Sequence, residues 1–119
     1  MSIDLIRDHA LAKPEVEETL PFGPDVIVFK VSGKIFLLIP LDSQPLQFNA
    51  KCDPERALDL RESYTSILPG YHMNKTHWNT IILDGSIPIS LAKELIDHSY
   101  ELVKPKGRRK KSQPAQADV

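Results

Sequence analysis

The stretch GYHMNKTHWNT, Gly70 to Thr80, packs two histidines, a lysine, two asparagines, a tyrosine and the chain's single tryptophan into eleven residues. These side chains suit metal ligation, acid–base catalysis, the gripping of a polyanion, or the anchoring of a loop by a ring. For metal the spacing is poor. His72 and His77 are five residues apart, which sets them on different faces of a helix and on opposite faces of a strand. The other histidines, His9 and His98, fall in segments of helical periodicity, and Cys52 falls in an alternating apolar run, so a third zinc ligand is missing and no metal site is expected.

Catalysis fares no better. Glu17 and Glu18 are adjacent, and neighbours on a strand point to opposite faces, so they do not form a preorganised dyad. There is no nucleophile elbow, phosphate-binding loop or zinc-peptidase motif. The sequence therefore predicts no catalytic residue, no cofactor and a non-enzymatic protein. Gripping a polyanion needs less: Lys75 offers a phosphate contact, while Tyr71, His72 and His77 offer donors and flat rings. Asn74 is placed to cap one helical turn through Asn74-Lys75-Thr76-His77. Trp78 then enters a strand, sharing a face with Thr80 and Ile82, and is expected to be largely buried in the core.

The elements that must hold this stretch follow from periodicity and punctuation. SIDLIRDHALAK opens on Ser2 as an N-cap, with Ile3, Ile6 and Ala10 at helical spacing and Pro14 beyond its end. EVEETLPFGPD reads as a short extended segment or turn at a sheet edge, broken by Pro21, Gly23 and Pro24. VIVFKVSGKIFLLIPL is a hairpin of two apolar strands joined by Ser32-Gly33, expected near the middle of a sheet. In LQFNAKC the alternation sets Leu46, Phe48, Ala50 and Cys52 on the inner face and Gln47, Asn49 and Lys51 on the outer one. Asp53 and Pro54 begin a helix, YTSILPG reads as a loop, and WNTIILDG reads as a strand closed by Asp84-Gly85. The last helix starts at Pro88 and carries Leu91, Ala92, Leu95, Ile96, Ser99, Leu102 and Val103 on one face. The expected fold is α+β in two layers, an antiparallel sheet with three helices packed on it.

Composition sets the remaining bounds. A chain of 119 residues, 41% hydrophobic and 26% charged, has the size and make-up of one ordinary domain. No apolar run approaches the ~20 residues of a membrane span, and MSIDLIRDHA lacks a secretory pattern. With one cysteine, the chain reads as cytoplasmic. The formal charge of -1 conceals a split: residues 1–103 carry nine Lys and Arg against fifteen Asp and Glu, whereas KPKGRRKK, starting at Lys104, carries six cations and no acid. The chain thus divides into a domain over 1–103 and a basic, disordered tail over 104–119. An acidic body repels phosphate except where a local basic face overcomes it.

The segments VEETLPFG, VFKVSGKIFLLI, KCDPE, PGYHMNKTHWNTIIL and LIDHSYELV, in this order and spacing, resemble the MmcQ/YjbR family of small bacterial proteins, over roughly residues 1–103. The resemblance implies a compact α+β fold akin to secretion-chaperone-like proteins and a DNA-binding role described as a double wing. One wing would be the hairpin around Val31, Ser32, Gly33 and Lys34, and the other the turn at Asn74, Lys75, Thr76 and His77. Taken with the donors and rings of the stretch itself, this gives Lys34, His72, Asn74, Lys75 and His77 as the expected nucleic-acid-binding residues. A second reading stays open, a protein- or peptide-binding module that uses a sheet edge or groove. One contiguous positive face would favour DNA, and an exposed apolar patch would favour a protein partner.

Overall fold

The computed structural model describes residues 2–71 and 73–105. His72 and nearly all of the basic tail expected at 104–119 lie outside the described residues. Ser2 accepts the Leu5 N–H and caps α1 (Ile3–Leu11), which buries Ile6 and Ala10. β1 (Val16–Thr19) forms one edge of the sheet, as the proline- and glycine-rich sequence after it predicts. β2 (Val26–Val31) and β3 (Lys34–Pro40) form the hairpin. Its turn residues Ser32 and Gly33 stand at φ 52° and 80°, the left-handed pair that a two-residue connection needs to match the strands' twist. β4 (Gln47–Lys51), α2 (Pro54–Ser63), β5 (Ile67–Pro69), β6 (Trp78–Ile82) and α3 (Ile89–Val103) complete the chain. Asp53 caps α2 through the Arg56 N–H, with Pro54 at the first helical position.

The six strands run antiparallel in the order β1-β2-β3-β4-β6-β5. Residues paired across strands share a face, so the registers sort the two sides of the sheet. Phe29, Leu37, Ala50 and Asn79 lie on one side, as do Phe48, Ile81 and Ile67. All three helices cover that side: Arg7 of α1 reaches Glu18, Arg61 of α2 reaches Asn79, and Ser99 of α3 reaches Phe36. Val28, Leu38, Asn49 and Thr80 line up on the opposite side, which carries no helix.

A bulge adjusts this frame. Phe29 faces Leu37 and Lys30 faces Ile35, so Phe36 is an extra residue and both Phe36 and Leu37 are fully buried. At the bulge the buried Ser99 hydroxyl donates to the Phe36 carbonyl while accepting the Lys51 N–H at 2.9 Å.

Three expectations need correction. YTSILPG holds a strand, β5, which the loop reading missed because it is three residues long and ends in proline. Asn49 is buried rather than solvent-facing, because the segment around Tyr71 and Met73 folds over its side of the sheet. Trp78 does share a face with Thr80 and Ile82, but that face is the helix-free one, and the ring is half-buried rather than part of the core. The helix-facing positions of β6 are Asn79 and Ile81. Asn79 points inward because Arg61 supplies its hydrogen bond at 2.7 Å, which inverts the phase that polarity alone suggests.

Candidate nucleic-acid interface

The two turns singled out by sequence come to the same end of the sheet. Leu37 pairs with Ala50 and Lys51 with Trp78, so the Ser32-Gly33 tip of β2–β3 and the Asn74–His77 turn that leads into β6 project beyond the same strand ends. One strand, β4, separates β3 from β6, which sets them roughly 10 Å apart. α3 also ends here: the Tyr100 hydroxyl donates to the Pro14 carbonyl, two residues before Val16, the partner of Val31. Lys104, a turn beyond Tyr100, is therefore where the described chain leads into the basic sequence.

Lys34 is exposed at the start of β3. Asn74 is exposed, and its side chain accepts the Thr76 N–H at 2.9 Å, while its carbonyl accepts from His77 and Trp78. This is the single turn expected, held two residues on rather than by a helix cap. Lys75 donates its ammonium to the Gly70 carbonyl at 2.9 Å, so part of its hydrogen-bonding capacity serves the loop. His77 is exposed, and its carbonyl accepts the Cys52 N–H at 2.8 Å. The tip and the turn thus stand at one end of the sheet, separated by the width of β4.

Charge is distributed in the same sense. Among the described residues, Arg7 pairs with Glu18, Lys13 with Asp97, Arg56 with Glu94 and Lys104 with Glu101. Lys30, Lys34, Lys51, Arg61 and Lys75 have no carboxylate at ion-pair distance among these residues, and all lie toward the hairpin end; Lys93 on α3 is the exception. The one acidic neighbour in register with these cations is Glu17, across from Lys30 on the edge strand.

Arg61 and Phe22 matter here and were not singled out by sequence. Arg61 donates to Asn79 and to the carbonyls of Lys75 and Trp78, and so clamps the Asn74–His77 turn to α2. The available signal was its position four residues after the buried Ala57, a cation on the apolar stripe of a helix. Phe22, between Pro21 and Gly23, overhangs the helix-free face. Together with Tyr71 it borders a groove of about 380 Å³ floored by Val26, Ile35, Leu38 and Pro40. Both rings are 65% exposed. Asn49 is the one amide side chain in the lining among the described residues, where Met73 also sits. Its side chain accepts from the Thr80 hydroxyl, which in turn accepts the Tyr71 N–H at 3.0 Å.

Other reactive groups are tied up elsewhere. Cys52 is buried, and desolvation pushes its thiol above the ordinary value. His9 bonds Asp97, and His98 accepts the Asp53 N–H. Among the described residues no three His, Cys, Asp or Glu side chains gather as a metal-binding group, and no helix is long and apolar enough to cross a membrane.

A small α+β domain with a six-stranded antiparallel sheet, helices on one face and two turns at one end defines the class of protein. The chain belongs to the YjbR family, whose sequence model matches residues 11–102. It is 45% identical over 95 residues to the uncharacterised protein YbdF of Escherichia coli O157:H7, covering 79% of this chain and 77% of that protein. It is 32% identical over 101 residues to the uncharacterised protein YjbR of Escherichia coli K12, covering 85% and 86% respectively. The crystal structure of the Deinococcus radiodurans protein DR2400 superposes with a TM-score of 0.85 at 40% identity, over 92% of this chain and 83% of that one. A Pseudomonas syringae protein gives a TM-score of 0.75 at 28% identity, over 87% of this chain and all of that one.

Proposed function

We propose that this chain is a non-enzymatic nucleic-acid-binding protein of the cytoplasm, using the sheet end that carries the Ser32-Gly33 tip and the Asn74–His77 turn. One observation carries the reading: of the six described cations without a carboxylate partner, five, Lys30, Lys34, Lys51, Arg61 and Lys75, gather at that end of a body whose residues 1–103 are net acidic, and only Lys93 lies elsewhere. The basic sequence beyond Lys104 begins at the same end, adding electrostatic reach to a local contact. Lys34 is the natural phosphate contact, because it is exposed and stands at the tip of a rigid hairpin. Asn74, Lys75 and His77 supply the second contact, and His72 is assigned to it from the sequence.

The apolar groove favours a second reading, in which the protein holds an apolar segment of a partner protein. Charge reversal tests the first. Lys34→Glu in the full chain should weaken binding to a short DNA duplex several-fold at low salt without lowering the melting temperature. If Lys34→Glu and Lys75→Glu both leave the affinity unchanged, the two turns are not the contact surface.

A further inference from the structure

We infer that the helix-free face of the sheet binds a single strand of nucleic acid, with a base seated in the groove between Phe22 and Tyr71. The inference rests on the nucleic-acid reading above and adds which form of nucleic acid is held, and where. The groove's volume of about 380 Å³ lies in the range of sites that enclose flat organic groups. Its floor is aliphatic, and two rings 65% exposed to solvent stand at its border. Base–aromatic stacking is the recognition such rings offer, and it needs a base whose π-face is free, which a strand provides and a paired duplex does not. Asn49, 7% exposed and the one amide in the lining among the described residues, stands where it can meet a base edge.

The charges around the groove decide between a strand and an apolar peptide. Among the described residues no charged side chain lines the groove, and cations border it on the hairpin side, with Glu17 across from Lys30 at the sheet edge. Lys30 pairs across strands with Ile35 of the floor, and Lys51 stands two residues from Asn49 on the same face, paired with Trp78. An uncharged floor flanked by lysines suits alternating bases and phosphates. An apolar peptide segment has no use for the lysines.

Trp78 lies half-buried on this face, paired with Lys51 beside the groove, and is the chain's only tryptophan, so its fluorescence is an intrinsic reporter of binding to the face. Full-length protein should be titrated with a short oligothymidylate and with a DNA duplex of equal length, at low and moderate salt, alongside Phe22→Ala and Tyr71→Ala variants checked for unchanged melting. The expected result is quenching by the single strand, a preference for it over the duplex, and a loss of about tenfold in affinity for each ring removed. Equal binding of strand and duplex, or ring variants that bind like the parent, would overturn the inference while leaving nucleic-acid binding at the hairpin end intact. Binding of neither at low salt would overturn both.

Discussion

Arg61 on α2 donates its Nε–H to Asn79 Oδ1 on β6 at 2.7 Å, and its Nη2 reaches the carbonyls of Lys75 and Trp78. A single guanidinium thus fixes an inward-facing asparagine, the start of a strand and the turn before it. The Asn79 amide nitrogen is buried without a hydrogen-bond partner among the described residues, so the Asn79 side chain depends on Arg61 for its pairing. Arg61→Ala should cost about 2–3 kcal/mol, since it strands a buried acceptor as well as removing charged hydrogen bonds. Arg61→Lys should recover little, because an ammonium cannot reproduce the planar fork. Urea denaturation of the three proteins measures both effects.

Ser99 gives a second, independent prediction. Its hydroxyl joins the Phe36 carbonyl and the Lys51 N–H across the bulge in β3, and the residue is wholly buried. Ser99→Ala conserves volume closely yet leaves both backbone groups short of a partner, at a cost of roughly 1–3 kcal/mol. An alanine variant as stable as the parent in denaturant would show that the bulge is satisfied another way.

His98 should make stability depend on pH. Its Nε2 accepts the N–H of Asp53, the residue that caps α2, and acceptance requires the neutral ring. Burial and then Arg56 lower its pKa, against the opposing pull of Glu94 and Asp53. A histidine with a lowered folded value binds fewer protons folded than unfolded. Its contribution is therefore complete above the unfolded value, about 6.5, and is lost as pH falls through the folded value. The melting temperature should decline from pH 7 toward pH 5, and His98→Gln should flatten that decline. An unchanged slope in the variant would assign the decline to other groups.

Much of this architecture was legible in the sequence. Ser2, Asp53 and Pro54 mark helix starts by satisfying or omitting exposed backbone donors, and Ser32-Gly33 between two apolar runs leaves a tight hairpin as the economical connection. The phase of β6 was not legible. Trp78, Thr80 and Ile82 alternate with Asn79 and Ile81, and hydrophobicity assigns the tryptophan set to the core. What decides is Arg61, eighteen positions earlier, whose guanidinium makes an inward asparagine favourable. The candidate site divides the same way. Its two turns could be read locally, from Ser32-Gly33 and from Asn74 to His77. The groove could not, because Phe22 and Tyr71 border it from distant segments that only the sheet order brings to one face.

On the proposal above, the folded body, and not the basic tail alone, binds nucleic acid at the hairpin end. Ending the chain after Pro105 keeps the Lys104 N–H on the Tyr100 carbonyl, which closes α3, and removes five cations, Lys106, Arg108, Arg109, Lys110 and Lys111. The most direct measurement is the salt dependence of binding to labelled single-stranded and duplex oligonucleotides, for the full and the shortened chain. The shortened protein should still bind at low salt, with a duplex slope made shallower by up to about 0.9 for each lost phosphate contact. Failure of the shortened protein to bind either oligonucleotide at low salt, where attraction is least screened, would contradict the proposal.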